Sequence, residues 1–202
     1  MNSTRIIIFA KAPVPGFAKT RLIPALGAES AAQLAQRMLM HTLEQALLAG
    51  ADEVELCATP SLQDDSWRGL ALAPGIIQTE QGSGDLGERL ARASSRAAAA
   101  GHNVLLVGTD CPALDAAAMQ AAMQALKSRD SVLIPTFDGG YALLGFKTFH
   151  STLFENIHWS TASVARETQD RIQALSWTLA TLPMLHDIDE PDDLQWLPGW
   201  LT

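Results

Sequence analysis

An α/β fold built on a mostly parallel central sheet is the architecture to expect from this chain. Short apolar runs alternate with longer stretches of helical periodicity. The first run, Ile6 to Ala10, is continuous rather than alternating, as in a strand buried on both faces. The residues suited to chemistry sit in loops that follow these runs, where open α/β sheets bind ligands.

The elements follow in order. Ile6 to Ala10 is the first strand. From Ser30, apolar residues recur at Ala31, Leu34, Met38, Leu43 and Leu47, predicting a helix that stops at Gly50. Val54 to Ala58 and Ile76 to Thr79 read as the next two strands. Asp85 to Ala100 is rich in Ala and Arg, hence helical, and ends at Gly101. Val104 to Val107 is a strand, and Asp115 to Ser128 a helix capped by Asp115. Val132 to Pro135 and Tyr141 to Phe146 flank Asp138-Gly139-Gly140, a hairpin-type turn and the one antiparallel excursion. Ser163 to Leu175 is helical, and Trp177 to Leu182 supplies a last strand.

The length of 202 residues suits one domain over 1–202 with a sizeable core. A net charge of -8 argues against nucleic acid or anionic membrane as partners, since both need a broad basic surface. No apolar stretch approaches the ~20 residues of a membrane span. Arg5 is followed by only a short apolar run before Lys11, so the N-terminus does not read as a signal peptide. Cys57 and Cys111 form neither metal nor redox spacing. The expected location is cytoplasmic, and the oligomeric state is left open.

Charge is segregated along the chain. The first 28 residues carry Arg5, Lys11, Lys19 and Arg21 and no acid. The loop Lys11 to Arg21, with Gly16 at its bend, offers cations and backbone amides to a phosphate at a strand end. It is not a Walker A loop, because Ala18 rather than Gly precedes Lys19-Thr20. Gly82, Gly84 and Gly87 satisfy G-x-G-x-x-G, but after a short third strand rather than in the first βα unit. The bland reading is a turn opening a helix, with Gly84 and Asp85 near enough to meet a phosphate. Asp110 ends a buried strand, and Asp115 takes the cap, which frees Asp110 to face the crevice as a ligand of a divalent metal. Cys111 beside it reads as a small buried residue. Asp187 to Asp193 holds five acids. A capping box from Asp189 to Asp192, with Pro191 in the first turn, accounts for most of them but not for Asp187. His158 and His186 flank site loops without ligand spacing, and Trp67, Trp177, Trp196 and Trp200 read as core or cover.

Six motifs in order carry a resemblance over nearly the whole chain. They are Phe9-Ala-Lys-Ala-Pro-Val-Pro-Gly16 with Lys19-Thr-Arg-Leu22, Gly82-x-Gly-Asp-Leu-Gly-Glu-Arg89, Gly108-Thr-Asp-Cys-Pro112, Asp138-Gly-Gly-Tyr141, Trp159-Ser-Thr161, and Asp187-Ile-Asp189 with Asp192-Asp-Leu194. Together they resemble the domain-of-unknown-function 2064 family of the GT-A (nucleotide-diphospho-sugar transferase) superfamily. The resemblance implies a Rossmann-like GT-A α/β/α sandwich that binds a nucleotide at the strand C-termini with Mg²⁺ or Mn²⁺. Similar phospholactate nucleotidyltransferases carry a Lys-x-Arg-Leu element, which puts Lys19 and Arg21 on phosphates. Their metal residues correspond to Asp110 and Asp189. Two departures stand out: no double glycine in the first loop, and one Asp where sugar transferases show Asp-x-Asp.

The expected activity is a metal-dependent transfer from a nucleotide sugar or nucleoside triphosphate to a small-molecule acceptor. The alternatives are nucleotidyl transfer with release of pyrophosphate, and a non-catalytic nucleotide- or sugar-binding protein. Asp110, Asp138 and Lys19 are the catalytic candidates. Lys11, Gly16, Lys19, Arg21, Gly84 and Asp85 are expected on the nucleotide, with Asp110 and Asp189 on the metal. Gly139, Gly140, Tyr141, Trp159, Ser160 and Thr161 are expected around the acceptor.

Overall fold

The computed structural model describes residues 3–201. Seven strands form one sheet: β1 (Thr4–Lys11), β2 (Glu53–Thr59), β3 (Ile77–Glu80), β4 (Asn103–Val107), β5 (Ser131–Pro135), β6 (Tyr141–Phe146) and β7 (Leu179–Thr181). Their order is β3-β2-β1-β4-β6-β5-β7. Among the described residues only β6 runs against its neighbours, pairing antiparallel with both β4 and β5. The expected antiparallel excursion is therefore one reversed strand inserted into a parallel sheet. The C-terminal ends of the six parallel strands lie along one edge.

Among the described residues there are five α-helices: the short α1 (Ile23–Leu26), which packs on α2, and α2 (Ala28–Leu48), α3 (Leu86–Ala99), α4 (Ala116–Leu126) and α5 (Val164–Ala174), which cover the sheet. Because side chains alternate along a strand, β1 feeds both layers. Ile6, Ile8 and Ala10 pack with residues of α2 and α4, such as Leu39, Leu43 and Met119. Ile7 and Phe9 pack on the other face with Leu90, Ala93 and Ala97 of α3 and Ala165 and Ile172 of α5. A third cluster joins Leu22, Leu34 and Met38 to Ile188. That contact pins the acid-rich segment against α2.

Local chemistry sets the helix starts that matter for the site. Asp85 caps α3 in a reciprocal capping box with Glu88, and Asp115 accepts from Ala118 N–H at the start of α4. The Lys11–Arg21 loop ends in a 3₁₀ turn (Thr20–Leu22) and the four-residue α1, both ahead of the expected helix. Near the C-terminus the box is one residue later than the sequence suggested. Glu190, not Asp189, is the cap, and Asp193, not Asp192, closes it around a 3₁₀ helix (Pro191–Trp196). Asp189 is drawn away by Arg21, 2.8 Å from its Oδ2. Among the described residues, no helix is long and apolar enough to cross a membrane.

Candidate functional site

The strand ends converge on a cleft. Its larger cavity, about 650 Å³, is lined by residues that follow β4 and β7, by the β5–β6 turn, and by the segment between β6 and α5. A smaller one, about 290 Å³, lies on the side of the Lys11–Arg21 loop. The two share Phe9, Leu86, Asp110 and Asp189, so they form one cleft across the carboxylates.

The cations and acids meet directly there. Lys19 has φ 48°, a left-handed conformation that turns its side chain inward. Its side chain is only 6% exposed, and the ammonium contacts Asp110 Oδ1. It also donates to the Ile188 carbonyl at 2.5 Å and lies 3.8 Å from Asp189 Oδ1. Arg21, exposed, holds Asp189 at 2.8 Å and Glu190 at 3.6 Å. Ile188 N–H donates to the Asp110 carbonyl at 2.8 Å, which ties the acid-rich segment to the end of β4. In Asp187-Ile188-Asp189 the alternation of an extended segment buries Ile188 completely and leaves both carboxylates on the cavity.

Asp138 sits across the cleft in the β5–β6 turn. Its Oδ1 accepts from Thr136 Oγ1 at 2.5 Å and from Gly140 N–H at 2.9 Å. The turn needs glycine at 139, where φ is 90° and a Cβ would lie 2.2 Å from the Ala162 carbonyl oxygen. That approach, with Ala165 N–H donating to Gly139 O at 2.9 Å, packs the turn against the start of α5.

Carboxylates are in surplus. Partial burial, then the negative charges of Asp138, Asp193 and Asp110, push the Asp187 carboxyl up to about 6. The Cys111 thiol is pushed well up by burial and by Asp110 and Asp187, which fits the inert role expected for it. Among the described residues no three His, Cys, Asp or Glu side chains already meet as a metal-binding group. The donor chemistry nonetheless fits a hard divalent cation: several carboxylates on one cleft, one of them raised by partial burial and by its like-charged neighbours.

Most of the anticipated residues come together. Arg21, Asp110, Asp138, Asp189, Gly140, Tyr141, Trp159, Ser160 and Thr161 line the larger cavity. Lys19 and Lys11 line the smaller one, with Lys11 Nζ donating to the Phe17 carbonyl at 2.8 Å. Gly139 packs behind the wall on Ala162. Gly16, Gly84 and Asp85 do not line either cavity, and the Asp85 carboxylate is spent on Glu88 N–H. Asp187 is the acid that capping left unexplained, and that was its signal in the sequence.

A stack of three rings had no such signal. His186 lies between Phe137 and Trp196, each 4.0 Å away and within 12° of parallel. It braces the residues next to Asp138 and Asp187 from outside the cavity. Trp196 and Trp200 are more than half exposed, each with its ring against a histidine, whereas Trp67 is buried.

Comparison with known proteins bears on this arrangement. The family described as "Uncharacterized protein conserved in bacteria (DUF2064)" matches residues 42–161. No curated protein matches the sequence. The chain is similar to a protein of Desulfovibrio desulfuricans G20 named provisionally as a nucleotide-diphospho-sugar transferase. Identity is 32% and the TM-score 0.87, over 96% of this chain and 85% of that one. Two other structures share the fold at lower identity. Rv0371C of Mycobacterium tuberculosis H37Rv, solved as a manganese complex, is 17% identical with a TM-score of 0.57, covering 96% of this chain and 97% of that one. CMP:2-keto-3-deoxy-manno-octonic acid synthetase, complexed with CTP, is 12% identical with a TM-score of 0.59 over 96% of each chain. With its family match over residues 42–161 and its near-complete overlap with a 32% identical structure, this Rossmann-like, GT-A-like chain belongs to the DUF2064 family.

Proposed function

We propose that this chain is a metal-dependent, nucleotide-using transferase acting between a nucleotide or nucleotide-sugar donor and a small-molecule acceptor. The observation that carries the reading is the Lys19 ammonium. It is nearly buried, shared between the Asp110 carboxylate and the Ile188 carbonyl, and set where two cavities join. With two of its three protons so used, one remains for a phosphate oxygen. The names of the similar structures, a nucleotide-sugar transferase and a synthetase holding CTP, support the same donor class.

In this reading the donor lies over the Lys11–Arg21 loop. Arg21 exchanges Asp189 for a phosphate, a bidentate partner its guanidinium suits equally well. Asp110 and Asp189, with Asp187 beside them, would hold Mg²⁺ or Mn²⁺. Such an ion, when bound, neutralises charge on the leaving phosphate oxygens. Lys19 keeps Asp110 fixed and adds positive charge where the leaving group builds negative charge. Asp138 faces the acceptor with Oδ1 anchored by Thr136 and Gly140, which leaves Oδ2 to take the acceptor hydroxyl proton. The acceptor oxygen forms its new bond as the bond to the leaving phosphate breaks.

Two products are consistent with this layout. In glycosyl transfer the acceptor oxygen bonds the anomeric carbon and a nucleoside diphosphate leaves. In nucleotidyl transfer it bonds the α-phosphorus and pyrophosphate leaves. The nucleotide-diphospho-sugar transferase name of the 32% identical structure favours the first, and the single Asp110 after β4 with the Lys19-x-Arg21 pair favours the second. Incubating the protein and Mn²⁺ with nucleoside triphosphates or nucleotide sugars, over a panel of alcohols and sugar phosphates, tests the proposal. Turnover releasing a nucleoside diphosphate or pyrophosphate is expected. Binding without turnover across the panel would indicate the non-catalytic alternative.

A further inference from the structure

Four consecutive residues, Trp159 to Ala162, line the larger cavity. They belong to neither a strand nor a helix, since β6 ends at Phe146 and α5 starts at Val164. Their placement is nonetheless tight. Gly87 lets α3 approach so closely that a Cβ there would meet the Phe154 carbonyl oxygen at 2.6 Å and Trp159 Nε1 at 2.9 Å. Ala162 lies equally close to Gly139. Between these contacts Ser160 has φ 62°, a left-handed conformation that a serine keeps only when its surroundings impose it.

Glu167, on the first turn of α5, supplies much of that constraint, although it lines neither cavity. Its Oε2 accepts from the His158 backbone N–H at 3.0 Å, and its Oε1 from the Ser163 hydroxyl at 2.6 Å. His158 Nδ1 lies 3.0 and 3.2 Å from the two oxygens, and it is the donor there because an ionised carboxylate only accepts. The Thr161 hydroxyl donates to the His158 carbonyl at 2.6 Å and lies 2.8 Å from Ser163 Oγ. One carboxylate therefore ties together the residues on both sides of Trp159–Ala162.

The needs of the helix do not account for these contacts. Ser163 stands at the N-cap of α5, yet its side chain makes no capping bond and its hydroxyl goes to Glu167 instead. Attraction between an acid and the helix N-terminus would require neither His158 nor Ser163. The hydrogen bonds from Ser163 and then from His158 hold the Glu167 carboxyl down at about 2, so it is an anion at neutral pH. Hydrogen bonds to an ionised acceptor are the stronger kind.

We propose that Glu167 is a positioning residue, whose carboxylate fixes Trp159–Ala162 around the acceptor without itself touching a ligand. The role toward the acceptor rests on the reading that the larger cavity holds it, whereas the clamp on the segment does not.

Hydrogen–deuterium exchange on the full chain, with chelator and without nucleotide, tests the clamp apart from any chemistry. Glu167→Ala should speed exchange at residues 158–163 by about ten-fold or more, while β4 and α4 stay within about two-fold of the wild type. Glu167→Gln, which keeps one oxygen acceptor, should recover part of the protection. In the turnover assay, Glu167→Ala should raise KM for the acceptor by about five-fold or more and leave KM for the nucleotide within about two-fold, a split that a general loss of stability would not produce. A wild-type chain without turnover would count against the transferase reading, and the exchange result would still decide the clamp. Unchanged exchange at 158–163, an equal rise across the sheet, a Glu167→Gln chain no better protected than Glu167→Ala, or equal changes in both KM values would each overturn the proposal.

Discussion

Lys19 holds a left-handed backbone conformation that a side chain other than glycine adopts at a cost of about 1–3 kcal/mol. The cost is offset by the contacts its ammonium makes, the same contacts that the proposed transferase reading uses. Lys19→Met should therefore lower affinity for a nucleotide phosphate by roughly 10–100-fold, about 1.4–2.8 kcal/mol. Calorimetric titration checks this. Asp187 makes the opposite kind of prediction. Its folded pKa of about 6 lies above the ordinary 3.8, so between those values the folded state binds more protons than the unfolded. Stability of the metal-free protein should fall as pH rises through that window and stay lower above it. Asp187→Asn should raise Tm at pH 7.5 by about 2–4 °C, the order of 1 kcal/mol after allowing for the half-open position. At pH 4 it should change little. Thermal melts in chelator at both values decide it. The sequence marked Lys19, Arg21, Asp110 and Asp189 by type and by position after strands. That Lys19 reaches Asp110 and Arg21 reaches Asp189 depends on the Ile188 anchor, a contact across 78 residues that no local pattern encodes.

Between residues and fold, the site depends on three joints: the 138–140 turn against α5, the start of α3 against Phe154 and Trp159, and the 185–189 segment against β5 and β4. Gly139→Ala attacks the first. It places a Cβ 2.2 Å from a backbone oxygen at a positive φ, so the expected loss is about 3 kcal/mol, or a fall in Tm of roughly 6–12 °C. A change under 2 °C in a thermal melt would show that the turn can move off Ala162 freely. The Asp-Gly-Gly signature announced this turn, but not that Ala162 would lie on it, because the partner comes from the next element. The 185–189 segment shows the same limit. Its acids were visible and the capping box was expected, yet the box is one residue later because Arg21 engages Asp189 from another part of the chain. Likewise Phe137, His186 and Trp196 stack only because the β5–β6 turn, the segment after β7 and the 3₁₀ helix converge in space.

Across the molecule, alternation of apolar runs and helical periods sufficed for an α/β sheet with one reversed strand, because strand burial and helix amphipathicity are local patterns. Strand order is not local: β6 inserts between β4 and β5, and nothing in its own six residues specifies that. The insertion brings the Asp138 turn to the same cleft as Asp110 at the end of β4, the placement on which the proposed acceptor role of Asp138 rests. The chain is acidic at -8, yet its cleft depends on two cations from an acid-free N-terminal stretch. The proposed function requires that this cleft bind a nucleotide together with a divalent cation. The decisive experiment is isothermal titration of nucleoside triphosphates and nucleotide sugars, with and without Mn²⁺, into the wild-type chain and into Asp110→Asn and Lys19→Met. At least one nucleotide should bind the wild type in a Mn²⁺-dependent way and lose at least ten-fold in affinity in both variants. No Mn²⁺-dependent binding, or equal binding in all three proteins, would show that the cleft is not the nucleotide site.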